Sequence, residues 1–182
     1  MASLPLLPAE ATLRVVGDGD PEHRAELERQ ARDLGVSDRV LFERVDRDRL
    51  PATFAEHDAL LFPVRWPEPW GLVPLEAIAV GLLVVASGRG GSAEYFEDGI
   101  NSLLADPDAG PGPLADALLR LADDADLRGR LRAGGLRTAA RYPDTAFASA
   151  VEDVAEWARR RGVSGERDGR RAEPTSPPAP EA

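Results

Sequence analysis

Phe62-Pro-Val-Arg-Trp-Pro-Glu-Pro-Trp-Gly-Leu-Val-Pro-Leu-Glu-Ala-Ile-Ala-Val-Gly-Leu-Leu-Val-Val-Ala-Ser87 decides the fold. The apolar run that ends at Phe62 stops at Pro63, as a buried strand does. A loop rich in Pro and Trp follows, from Val64 to Trp70. Gly71-Leu-Val-Pro74 then opens a short helix, with Pro74 expected at its first position, where a missing N–H costs nothing. Gly81 ends that helix, and Leu82 to Ala86 reads as a second buried strand. The order is strand, loop, helix, strand. Free N–H groups and a positive helix end at its mouth favour an anion such as a diphosphate.

Glu68 on the loop and Glu76 just beyond Pro74 are expected to face one crevice. A carboxylate near a helix N-terminus is also ordinary helix chemistry, so either residue alone says little. The whole phrase says more. Glu68-Pro-Trp-Gly71, Pro74-Leu-Glu76-Ala, Gly81, Val84-Val-Ala-Ser87 and Gly90-Gly91-Ser-Ala-Glu94 resemble the donor-binding segment of glycosyltransferase family 4. Those enzymes are retaining transferases of the GT-B type, marked by two Glu with seven residues between them, a spacing that Glu68 and Glu76 keep. The resemblance runs from about Thr12 to Trp157 and is densest between Asp58 and Leu104.

Upstream, Thr12 to Val16 reads as a strand ended by Gly17-Asp-Gly-Asp20. No third Gly follows at dinucleotide-fingerprint spacing, so this is a structural turn. Apolar periodicity predicts a helix over 21–34, a short strand over 39–42, a helix over 50–57 and a strand over 59–62. Downstream come a turn of helix over 92–96, a short strand over 102–105, and helices over 114–122, 127–142 and 146–161. Gly134-Gly135 weakens the second of these three. Strands alternating with helices give an α/β fold: a Rossmann-like parallel sheet flanked by helices, with C-terminal helices and a tail. Three segments are expected: an irregular one over 1–11, a domain over 12–161, and a disordered tail over 162–182, rich in Arg, Glu, Gly, Ser and Pro.

Length and composition narrow the classes. The 182 residues, 43% of them apolar, can bury one core. A net charge of −10 argues against DNA and anionic lipid as partners, so no nucleic acid is expected. No apolar run is long enough for a membrane span. Cysteine is absent, which suits a cytoplasmic setting. His23 and His57 stand alone and read as surface residues. Asp46-Arg-Asp48 reads as a polar turn. All 22 basic residues are Arg, so any cation that meets an anion here is a planar, bidentate one.

The resemblance implies roles. The amides of Gly71, Leu72 and Val73 would hold the donor diphosphate, Glu76 would bind the ribose hydroxyls, and Glu68 would serve the donor sugar as the catalytic carboxylate. Arg65 and Arg89 are candidates to reach the crevice, and Gly90 and Gly91 give the loop after Ser87 room to approach a phosphate. No metal and no cofactor are expected. The sequence departs from the family in lacking an earlier strand with its Gly-Arg and Lys, in Leu83 for Pro, in Val64 for Ser, and in Glu43-Arg44 where a Gly is common. The implied function is that of the C-terminal, donor-binding half of a nucleotide-sugar transferase, truncated at its N-terminus and silent alone. Its acceptor site would lie on a missing domain or a separate chain. The alternatives are a non-catalytic nucleotide- or partner-binding module and an unrelated α/β domain.

Overall fold

The computed structural model describes residues 1–142. Residues 143–182 lie outside the described part, and with them the helix expected over 146–161 and the expected tail. Five strands are described: β1 (Leu13–Val16), β2 (Val40–Glu43), β3 (Ala59–Phe62), β4 (Leu83–Ala86) and β5 (Leu103–Leu104). Five α-helices are described with them: α1 (Pro21–Asp33), α2 (Leu50–Ala55), α3 (Leu72–Ala79), α4 (Gly112–Asp123) and α5 (Ala125–Ala139). The strands pair in parallel, as the alternation of strands and helices requires.

The expected single sheet is divided among the described residues. β1 and β2 form a two-stranded sheet, and β3, β4 and β5 form a three-stranded one with β4 in the middle. Alternation fixes the direction of strands but not which edges meet. β4 is the buried strand, and its period of two divides the core. Val84 and Ala86 pack with Phe54, Leu75, Ile78, Tyr95 and Phe96 on one face. Leu83 and Val85 pack with Leu103, Leu121, Leu127 and Leu131 on the other.

Local chemistry sets the helix ends. The Asp20 carboxylate accepts from the amides of Glu22 (2.7 Å) and His23 (3.2 Å), with Pro21 opening α1 behind it. Asp124 caps α5 in the same way through the amide of Leu127 at 2.7 Å. α3 begins at Leu72, two residues before the expected start, so Pro74 is its third residue. That position is still within the first turn, where the amide has no carbonyl to reach.

Two further readings are corrected. The segment 1–11, expected to be irregular, carries a 3-10 turn over Leu4–Leu6 and buries Leu4 against Ala31 and Val36. It is tied down by Arg39, which donates to the carbonyls of Ala11 (2.8 Å) and Pro8 (2.7 Å), and by the Ser3 hydroxyl on the carbonyl of Pro111 (2.9 Å). Its interleaved prolines hide the spacing of Leu4 and Leu7 from a search for periodicity. His57 is half-buried rather than a surface residue, its Nδ1 lying 2.6 Å from the carbonyl oxygen of Thr53.

Candidate functional site

In parallel α/β sheets, ligands gather outside the carboxyl ends of the strands. Three loops meet there beside β3, β4 and β5: residues 63–71, 87–91 and 105–108. The first loop delivers the N-terminus of α3. Gly71 sits at φ 80° and ψ 69°, in the left-handed region, and no side chain caps the helix. Leu72 and Val73, the first two residues of α3, are half exposed at 54% and 45%. Of the three residues whose amides are expected to hold an anion, Leu72 and Val73 are thus exposed at a helix end with a positive partial charge, while Gly71 before them is buried.

Tyr95 fixes this turn from below. Its buried hydroxyl donates to the carbonyl of Gly71 at 2.7 Å, and its ring packs with Trp70, Phe96 and Tyr142. A Cβ on Gly71 would meet the Tyr95 oxygen at 2.9 Å and the Phe62 ring at 3.2 Å. Burial raises the Tyr95 pKa above its ordinary value, and the charge of Glu68 raises it further.

Glu68 is half-buried, and its Oε2 accepts from Trp66 Nε1 at 2.9 Å. Its backbone is gripped by the neighbouring loop. The Gly91 amide donates to the Glu68 carbonyl at 2.7 Å. A Cβ on Gly90 would overlap the backbone of Pro67 and Glu68, and one on Gly91 would overlap the carbonyl of Pro69. These two glycines thus allow loop 87–91 to lie directly on loop 63–71.

Arg65 and Arg89 are engaged by the third loop. Arg89 donates to Asp106 (2.8 Å) and to Asp108 (2.7 Å), and its Nη1 reaches the carbonyl of Arg65 at 3.3 Å. Asp108, then Asp106, raises the Arg89 pKa further above its already high ordinary value. Arg65 donates to the carbonyl of Pro107 at 3.0 Å, with Asp108 at 3.5 Å. Both guanidinium groups so join the loops to one another.

Glu76 lies four residues after Leu72, on the same face of α3. Its Oε1 pairs with Arg47 Nη2 at 2.9 Å. Arg47 belongs to the 3-10 turn Arg47–Arg49, within the stretch read from sequence as a polar turn. The structure therefore joins Glu68 to Gly90 and Gly91 and Arg65 to Arg89 through direct contacts, holds Gly71 against Tyr95 and Phe62, and sets Glu76 on α3 with Arg47 against it. Tyr95, Arg47, Asp106 and Asp108 were not foreseen as parts of this site. Asp106-Pro-Asp108, one turn after a strand, was the visible signal for the last two.

Residues 1–124 match the family described as Glycosyl transferases group 1. The chain is 38% identical over 160 residues to a D-inositol 3-phosphate glycosyltransferase of Xylanimonas cellulosilytica, covering 85% of this chain and 37% of that protein. The crystal structure of the HepE protein of Anabaena in complex with UDP-glucose superposes with a TM-score of 0.77 at 28% identity, covering 85% of this chain and 43% of that one. The C-terminal domain of a glycosyl transferase group 1 family protein of Francisella tularensis superposes with a TM-score of 0.68 at 23% identity, covering 78% of this chain and 75% of that domain. The chain thus spans less than half the length of the first two of these relatives.

Proposed function

The chain belongs to the glycosyl transferases of group 1, and from that membership we propose that it binds the nucleotide-diphosphate sugar from which a glycosyl group is transferred. Its parallel sheets flanked by helices are those of GT-B glycosyltransferases. One observation carries the proposal: the open, uncapped N-terminus of α3 at the carboxyl ends of parallel strands, with Glu68 before it and Glu76 within it.

The diphosphate sits on the amides of Gly71, Leu72 and Val73. As the glycosidic bond to the sugar breaks, negative charge builds on the departing diphosphate. Fixed N–H dipoles stabilise that charge without reorganising. The reaction in this reading needs no metal. Glu76 takes the ribose hydroxyls. Glu68 binds hydroxyls of the donor sugar and places a negative charge beside the oxocarbenium-like centre, which suits retention of configuration. Arg65 and Arg89, held by Asp106 and Asp108, order the loops, and Gly90 and Gly91 keep Glu68 in place. The acceptor is held by protein beyond this chain, so the chain alone transfers nothing. Its cysteine-free sequence suits a cytoplasmic setting.

Thermal melts of the purified chain with millimolar UDP, GDP or ADP, with Glu76→Ala alongside, test the reading. A ligand at about 100 times its dissociation constant adds about 2.7 kcal/mol, a shift of several degrees. The expected result is a shift that depends on the base and disappears in Glu76→Ala. Unshifted melts with all three nucleotides would reject the donor site, and glycoside formation by the chain alone would reject its dependence on a second part.

A further inference from the structure

Arg47 and Glu76 come from opposite sides of the divide in the sheet. Arg47 follows β2 of the two-stranded sheet, and Glu76 stands on the helix after β3 of the three-stranded one. No strand pairing joins those two sheets among the described residues. The contact is asymmetric: the Arg47 side chain is 83% exposed and that of Glu76 is 36% exposed. Arg47 takes Oε1 alone, and Oε2 has no partner among the described side chains. Each carboxylate oxygen has two lone pairs, so Oε1 can keep Arg47 while a ligand hydroxyl takes its second position.

A vicinal diol offers two O–H donors side by side, which match the two oxygens of one carboxylate if its plane is turned correctly. A glutamate on an exposed helix face has three side-chain rotors to freeze before it can make both bonds. Here a guanidinium already holds it. We propose that Arg47 is a positioning residue that holds the Glu76 carboxylate ready for the ribose diol, so that the site prefers nucleotides carrying the diol over those lacking it. This inference rests on the donor-site reading. Its content is the source of sugar selectivity within the nucleotide, which a buried or prearranged hydrogen-bond acceptor enforces most strongly.

The test is a calorimetric titration of UDP, GDP and ADP, and of their 2′,3′-dideoxy forms, into the wild-type chain, Arg47→Ala and Arg47→Lys. Because the pair is exposed, all three proteins should melt at closely similar temperatures. The wild-type chain should bind its best ribonucleotide at least tenfold more tightly than the dideoxy form. Arg47→Ala should cut that ratio threefold or more by weakening the ribonucleotide, with the dideoxy form unchanged, and Arg47→Lys should restore part of it. Equal weakening of both forms would make Arg47 a general attractor of phosphate and overturn the inference, as would an unchanged ratio or tighter ribonucleotide binding. A wild-type chain that binds none of the nucleotides would instead overturn the donor-site reading together with this one.

Discussion

The hydroxyl of Tyr95 donates to the carbonyl of Gly71 at 2.7 Å inside the core, 24 residues along the chain. One buried bond thereby fixes the residue from which α3 springs, and with it the direction of the amides at the mouth. Tyr95→Phe keeps the ring and deletes the donor, leaving the Gly71 carbonyl enclosed without its partner. The expected cost is about 1–2 kcal/mol, read as a lower denaturation midpoint. The same pair of proteins carries a pH signature. Burial and Glu68 raise the Tyr95 pKa, so the folded chain keeps a proton that the unfolded chain releases from about pH 10 upward. The unfolded state then binds fewer protons, and stability falls as pH rises through that window. Wild-type stability should decline there more steeply than that of Tyr95→Phe.

Gly71→Ala attacks the same turn from the other side. A φ of 80° already disfavours any other residue, and the new methyl would press on the Tyr95 oxygen. We expect a loss of about 1–3 kcal/mol together with weaker nucleotide binding, since the first turn of α3 must rotate. Melts with and without ligand separate the two effects.

Gly91→Ala should disturb Glu68 more than the fold. The methyl would overlap the carbonyl of Pro69, so loop 63–71 has to lift away from loop 87–91. Val64, Trp70 and Gly71 tie the ends of that loop to the core, so the lift falls on its mostly exposed middle, residues 65–69, at small cost to the core. The expected outcome is a melting temperature within a few degrees of wild type, with nucleotide-sugar affinity reduced about tenfold or more, in a titration with a sugar form of whichever nucleotide shifts the wild-type melt.

Much of this was legible because it depends on local chemistry. The apolar run stopped by Pro63 marked β3, the apolar run after Gly81 marked β4, and the Glu68-to-Glu76 phrase pointed to the mouth of α3. What stayed hidden depends on contacts between distant segments. Nothing in Ser92-Ala-Glu-Tyr95 announces that the tyrosine reaches back to Gly71. Arg65 and Arg89 read as free cations because their partners, Asp106 and Asp108, lie 17 to 43 residues further on. The division of the sheet was also illegible, since β1 and β3 look alike in composition to a paired strand and their edges carry no sequence mark. Asn101 is similar: it is 2% exposed and serves Tyr95, Glu97, Ser102 and Thr138 through one amide group, and nothing in Asp98-Gly-Ile-Asn101 marks it as buried.

Gly134 gives a prediction whose sign distinguishes the two kinds of reading. Judged from helix propensity, Gly134-Gly135 is a weakness, and Gly134→Ala should stabilise α5 by about 1 kcal/mol. In the fold, α5 lies so close to the segment carrying Ile100 and Asn101 that a Cβ on Gly134 would overlap the Ile100 carbonyl. That obstacle is backbone, and it cannot rotate out of the way as a side chain would. Moving it would also disturb Asn101, whose Nδ2 donates to the Tyr95 carbonyl at 2.6 Å and to the Thr138 hydroxyl at 2.9 Å. Overpacking of this kind costs about 1–3 kcal/mol, which exceeds the propensity gain. Gly134→Ala should therefore lower the melting temperature. Gly129→Ala, on the same helix where the added Cβ meets nothing within 4 Å, should raise it. The opposite signs follow from one contact, and a Gly134→Ala chain that melts no lower than wild type would show that α5 does not lie against Ile100 in solution.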